Sequence, residues 1–312
     1  VAPGCLRCAA RAINGVRVRT GVPSVPVAVS GSVPSSWKML PCMQNIITIN
    51  EKSQPDDRSA SGRVLRCVDP DLVEAHFIGE AGESVQMPWL QAASEMRLEG
   101  CAPVWEFPIL KGRRVGPGWW WTATNGGMVR YGFGSMRTQL MMLDFDPQVV
   151  AVACRPVELR WRGRGGRTIG HAPHLMARLA DGSGLLIDCA GRLGAGRRLV
   201  QRAAHVDAAA TAAGWHYRLV GRPPQVVEAN VRWLAGYRHP RCAQGLMLGV
   251  SRSFRTATAL LDGVAAMGDP IAVWPAVFHG LWRGLLTAPL DTPLHAGTLA
   301  VASAPSLAGV AQ

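Results

Sequence analysis

The stretch from Gly134 to Val220 constrains the fold more than any other part of the chain, because helical and strand periodicities follow one another there in a single order. Between Gly134 and Asp144 the apolar Met136, Leu140, Met141 and Leu143 recur at helical spacing, with Arg137, Thr138 and Gln139 opposite. Asp146-Pro147 ends that helix. Val149–Cys154 is a short β-branched apolar run, and Val157–Trp161 alternates before a Gly/Arg turn at 163–167. His171–Leu179 and Leu185–Cys189 flank Ala-Asp-Gly-Ser-Gly at 180–184, a hairpin signal. Leu193–Ala213 is an Ala-rich helix with Leu199, Val200, Ala203, Val206 and Ala210 near one stripe and Gly214 at its C-cap position. Trp215–Val220 then reads as a strand. The expected order is α-β-β-β-α-β within an α/β domain.

That order resembles the core of the restriction-endonuclease-like nucleases. Their PD-(D/E)xK signature sets an Asp after a Pro on one strand and an acid-x-base triplet on its hairpin partner. Side chains two apart on a strand share a face, so the triplet's acid and base point at one scissile phosphate. The carboxylates of such a site hold Mg²⁺, which activates water and stabilises the leaving oxygen. Here the corresponding places are Pro173-His174 and Asp188-Cys189-Ala190.

A closer resemblance rests on longer runs: PVWEFPILKGRRVGPGWWWT at 103–122, LDFDP at 143–147, HAP at 171–173, DGSGLLIDC at 181–189, NVRWLAGYRHPR at 230–241 and GDPIAVWPAVFHGLW at 268–282. These are similar to the TnsA-like heteromeric transposase endonuclease subunits of actinobacteria, in order and with similar gaps across roughly residues 60–300. Membership would imply cleavage of one strand at each transposon end, alongside a TnsB-like transposase and a TnsC-like ATP-dependent regulator. The departures fall on the chemistry. The family's first-helix acids align with Gly132 and Met136, its Pro-Asp with Pro173-His174, its Asp-Cys-Arg with Asp188-Cys189-Ala190, and its Gln-Pro with Arg155-Pro156. Asp188 is the one expected acid that survives.

The resemblance therefore leaves two function classes. In the first, Asp188 and His174 form a catalytic and metal site for Mg²⁺ or Mn²⁺, or for a softer ion such as Zn²⁺, or His174 acts as a metal-free base, with Glu106, Glu158 or Asp144 as a further carboxylate. In the second, the chain is a non-catalytic DNA-binding and scaffolding subunit of the transposase assembly. Mg²⁺ favours hard oxygen ligands in near-octahedral geometry, so one Asp beside an imidazole is a poor site for it. Packing of His174 against Met136 and Met176 would favour the second class.

A net charge of +12 and a pI near 10.1 are the signature of a protein that meets a polyanion. Ten Arg fall between Arg155 and Arg202 against three acids, Glu158, Asp181 and Asp188. Arg160, Arg162, Arg164, Arg167, Arg197 and Arg198 are the candidate DNA contacts, since guanidinium groups bind phosphates bidentately.

Residues 1–60, rich in Pro, Ser, Gly and Val, read as a disordered tail whose Cys5-Leu6-Arg7-Cys8 lacks the second pair of a zinc ribbon. Residues 61–222 form the expected endonuclease-like domain, entered through β pieces at Val64–Val68, Ala75–Ile78 and Val85–Met87 and a helix at Leu90–Gly100. Trp119-Trp120-Trp121 cannot share one strand face, so at least one packs inward. Pro223-Pro224 opens a mainly helical, winged-helix-like domain over 223–303, followed by a tail at 304–312. Its expected helices are Val226–Leu234, Phe254–Met267 and one from Asp269-Pro270 through Leu286, with a terminal β piece at Thr292–Ser303. His279 and Arg283, one turn apart, are expected on an exposed face. No run approaches 18 consecutive apolar residues, which points to a bacterial cytoplasmic protein without membrane contact.

Overall fold

At Ala180–Gly184 the chain reverses as its composition requires: Gly182 takes φ +86° and the Asp181 carboxylate accepts the Ser183 N–H at 2.9 Å. That turn belongs to a computed structural model describing residues 69–303 apart from 110, 113–115, 164, 192 and 244. The tails at 1–60 and 304–312, the Cys5–Cys8 pair, the β piece at Val64–Val68 and Arg164 all lie outside the described residues.

The first half of the chain folds as β1 (Glu74–Ile78), β2 (Ser84–Pro88), α1 (Trp89–Glu95), β3 (Gly118–Thr122), β4 (Gly127–Tyr131), α2 (Gly134–Phe145), β5 (Val149–Cys154), β6 (Glu158–Arg162) and β7 (Thr168–His171). It continues as β8 (Leu175–Leu179), β9 (Gly184–Cys189), α3 (Arg197–Ala212) and β10 (His216–Val220). One four-stranded sheet has the order β10-β9-β8-β5, with β10 parallel to β9 and the other pairs antiparallel. α2, β5, β8, β9, α3 and β10 thus follow in the order α-β-β-β-α-β. The expected run Val157–Trp161 lies elsewhere: β6 and β7 join β1 and β2 in a second sheet, ordered β2-β1-β6-β7. Period-two alternation tells which face of a strand is buried, but not which sheet receives it.

The central sheet is covered on both faces. Met136, Leu140 and Leu143 of α2 pack with Val152, Leu175, Leu185 and Ile187 on one side. On the other, Met176 and Leu186 meet Val206, Ala209 and Ala210 of α3, Trp89 of α1, and Phe77 and Leu159 of the second sheet. Trp89 Nε1 donates to Ala209 O at 2.7 Å, joining α1 to α3. The expected helix at Leu90–Gly100 is interrupted, with α1 stopping at Glu95 and a 3₁₀ turn at Leu98–Gly100.

No residue of α2 is exposed, the polar Arg137, Thr138 and Gln139 being half-buried, as suits a helix packed on two sides. Its Met141, Met142 and Phe145 belong to a further core made by the C-terminal helices. These are α4 (Gln225–Leu234), α5 (Met247–Ser253), α6 (Leu260–Ala265) and α7 (Pro270–Trp282), with β11 (Thr258–Ala259), β12 (Leu286–Thr287) and β13 (Leu299–Ala302) in a small sheet ordered β11-β13-β12. The expected helix over Phe254–Met267 is shortened to α6, which follows a turn and the bridge through β11, while α5 lies ahead of it and ends at Ser253. Phe254 is fully buried beyond the end of α5, and the β-branched Thr256 and Thr258 favour extended backbone. Asp269 caps α7 by accepting the Ile271 N–H at 3.0 Å. α7 stops at Trp282 rather than Leu286 because Gly284, at φ +68°, turns the chain into β12. Residues 290–294 form no strand. They are held by Asn230, whose Nδ2 donates to Leu290 O and Thr292 O at 3.0 and 2.7 Å and whose Oδ1 accepts the Leu294 N–H at 3.1 Å.

The β3–β4 hairpin carries the tryptophan run. Trp120 packs inward, and its Nε1 donates to Asp144 Oδ2 at 3.1 Å, while Thr124 N and Oγ1 donate to Asp144 Oδ1 at 2.9 and 3.0 Å. Trp121 stacks on His239 at 4.8 Å, and the Arg238 guanidinium covers Trp120 at 4.2 Å. Trp119, 59% exposed, faces Arg130. No helix among the described residues is long and apolar enough to cross a membrane.

Candidate functional site

The His171–Leu179 run does not stay extended in one sheet. Pro173 cannot donate to a ladder, and the chain leaves β7 after His171 and re-enters the central sheet at Leu175. His171 therefore closes one sheet, opposite Leu159, while His174 stands one residue before β8, where Leu175 pairs with Ile187. Both reach Asp188 on β9. Its Oδ2 is 2.7 Å from His171 Nε2 and accepts the Tyr217 hydroxyl at 2.9 Å, and its Oδ1 accepts the His174 backbone N–H at 3.3 Å. Tyr217 arrives from β10, whose Leu219 pairs with Asp188.

This carboxylate is fully buried. Burial alone would raise its pKa, but the His171 hydrogen bond, the two neighbouring imidazoles and the Tyr217 hydroxyl hold it below the ordinary carboxylate value. Burial, reinforced by Asp188, drives the Tyr217 hydroxyl far upward, so it stays a donor. His174 makes two contacts that demand opposite protonation: Nδ1 accepts the Cys189 N–H at 2.9 Å and lies 3.1 Å from Asp188 Oδ1. Burial depresses this imidazole to about 4, against the pull of Asp188, so the neutral ring with Nδ1 as acceptor is the state at neutral pH. The ring packs edge-on against Phe133 at 5.1 Å. Met136 and Met176 lie fully buried in the cores on the two faces of the sheet.

The expected pairing of Asp188 and His174 as ligands for Mg²⁺ or Mn²⁺ does not fit this arrangement. Both carboxylate oxygens are engaged, the His174 nitrogen nearest them is taken by a backbone amide, and among the described residues no further carboxylate joins the group. Asp144 is committed to Trp120 and Thr124. Glu106 pairs with Arg130 at 2.6 Å, and Glu158 pairs with Arg160 at 2.7 Å. Among the described residues no three His, Cys, Asp or Glu are arranged to hold a metal ion.

The positions aligned with first-helix acids are also filled. Met136 is fully buried, and its sulfur accepts the Gly132 N–H at 3.2 Å. A Cβ at Gly132 would run into the Phe107 ring. Gly132→Glu, restoring an acid there, is expected to lower stability by about 1–3 kcal/mol through overpacking. Adding Phe107→Ala should fail to rescue it fully, since the acid would then sit in an apolar cavity; urea denaturation of the single and double variants checks this.

Of the candidate DNA contacts, Arg160 is neutralised by Glu158 and also reaches Gln86 at 3.3 Å. Arg162 is exposed and steadies its own turn by donating to Gly166 O at 3.0 Å. Arg167, Arg197 and Arg198 are exposed. Arg198 also lines a pocket of about 460 Å³ with Trp105, Arg155, Glu158, Gly170, His171, Ala172, His174, Leu199 and Arg202. His279 is buried rather than surface-facing, with Nδ1 2.7 Å from Tyr237 O.

Sequence reasoning missed His171 and Tyr217 as partners of Asp188. The His-x-Pro-His spacing held one hint, because a proline break lets two nearby histidines enter different sheets. The sequence matches no known protein-family model and no curated protein.

Proposed function

We propose that the chain is a TnsA-like subunit of a heteromeric transposase in which the nuclease site has become structural, and that it serves as a DNA-binding scaffold beside a TnsB-like transposase and a TnsC-like regulator. The observation that carries this reading is Asp188: the surviving acid is sealed in the protein, with each oxygen committed to a neighbour. The α-β-β-β-α-β order of the central sheet is what a restriction-endonuclease-like ancestor would leave, and the C-terminal helices with their three-stranded sheet suit a winged-helix-like module. Cleavage with Mg²⁺ or Mn²⁺, the other reading, would require Asp188 to abandon Tyr217, His171 and the His174 amide together.

Duplex binding rests on exposed arginines such as Arg167 and Arg197, which form no ion pair among the described residues. Fluorescence anisotropy between 50 and 200 mM salt should show affinity falling with a slope near −0.9 per neutralised phosphate, those values being approximate. Replacing Arg167 and Arg197 together by Ala should reduce that slope by about 1–2. Arg160→Ala should leave it unchanged, because Glu158 already balances Arg160. A slope that does not respond to Arg167 and Arg197 would place the DNA on another surface.

A further inference from the structure

The pocket beside His171 and His174 carries cations that its own protein does not satisfy. Arg155, Arg198 and Arg202 line it against one carboxylate, Glu158, which is already paired with Arg160. Among the described residues no Asp or Glu forms an ion pair with any of the three. Arg155 is the most telling. It is the only non-glycine residue at positive φ among the described residues, at +45°, a conformation that costs energy and clusters at ligand sites. The turn lays its guanidinium over the Phe107 ring at 4.0 Å, and its Nε is buried with no hydrogen-bond partner.

The remaining walls suit the same ligand. His174 commits Nδ1 to the Cys189 amide, which leaves its Nε2–H as a donor for an incoming group, while His171 is committed to Asp188 through Nε2. Arg198 and Leu199 bring the first turn of the 16-residue α3, whose N-cap Gly196 offers no side-chain cap. Trp105 is 52% exposed at the rim and presents a ring on which a base can stack. A volume of about 460 Å³ falls in the range of roughly 300–1,000 Å³ typical of small-ligand sites.

We propose that this pocket binds a terminal phosphate, the dianionic monoester at the end of a DNA strand or on a free nucleotide, with the adjoining base against Trp105. Three arginines lining a concave site match a dianion better than the single charge of a backbone diester. The inference deepens the DNA-binding reading and rests on it only for the source of the phosphate.

The test compares a 5′-phosphorylated single-stranded oligonucleotide, its 5′-hydroxyl twin, a nucleoside 5′-monophosphate and inorganic phosphate, using the full chain. The variants are Arg155→Gly, which suits the positive φ and spares the fold, and Arg198→Ala with Arg202→Ala. Arg252→Ala, exposed on α5, controls for net charge. The phosphorylated strand should bind about tenfold tighter than its twin, be displaced by inorganic phosphate, and lose that advantage in both pocket variants but not in the control. Binding of the monophosphate and inorganic phosphate without binding of either strand would support the pocket while removing the DNA reading. Equal binding of the two strands would overturn the terminal-phosphate inference and leave the DNA reading standing. Pocket variants that bind like the unaltered protein would also overturn it.

Discussion

Asp188→Ala will lower the unfolding free energy by about 3–5 kcal/mol, the range expected when one partner of a buried charged network is removed. The loss goes beyond one carboxylate. His171 Nε2, the Tyr217 hydroxyl and the His174 backbone N–H all point at Asp188, and all would be left without an acceptor in a site closed to water. Asp188→Asn keeps the volume and one oxygen but turns an amide toward a donor, so it should cost less, about 1–3 kcal/mol. Urea denaturation of the three proteins at pH 7 measures both differences. A working catalytic carboxylate behaves in the opposite way: exposed and held for chemistry, it can often be removed with no loss, or a gain, of stability. Unchanged or higher stability in Asp188→Ala would contradict the structural role assigned to it.

Acid will destabilise the fold earlier than carboxylates alone would predict. His174 is held neutral by burial with its pKa depressed to about 4, while the unfolded imidazole titrates near the ordinary value of about 6.5. Between those values the unfolded chain binds a proton that the folded one refuses, so stability is greatest above the window and falls as pH drops through it. The loss from this residue amounts to about 3 kcal/mol by the lower edge. Burial depresses His76, His205 and His279 as well, and each adds a loss of the same sign. Asp188, with its own pKa lowered, contributes only below the unfolded carboxylate value. His174→Asn, whose Oδ1 can accept the Cys189 N–H, should flatten the pH dependence between 6.5 and 4, both approximate bounds. A variant curve parallel to that of the unaltered protein would mean that His174 titrates normally.

Local signals made much of the central sheet legible. The Asp181-Gly182 turn fixed the β8–β9 hairpin, Gly214 at φ +69° ended α3 before β10, and the apolar run at Val149–Cys154 is β5. What escaped was placement through space. β6 alternates in sequence as the central strands do, yet pairs with β1, and its Trp161 packs in the core shared with α1 and α3. Asp144 looked like a spare acid because its sequence neighbours do not include Trp120 and Thr124, which consume it. Asp188 stood out as the surviving acid, but its burial depends on Tyr217 from a parallel strand and His171 from another sheet, and no local spacing encodes either. Arg155 was visible as a departure from a familiar Gln-Pro pair; its positive φ and stacking on Phe107 were not.

The central claim, a DNA-binding fold whose former catalytic acid has become structural, is tested most directly by one gel: supercoiled plasmid with the purified chain and its transposase partner, in Mg²⁺ and in Mn²⁺, run before and after removal of protein. The predicted result is a salt-sensitive shift before deproteinisation and intact supercoiled plasmid afterwards in both ions. Nicked plasmid that disappears with Asp188→Asn, under conditions where that variant remains folded, would contradict it.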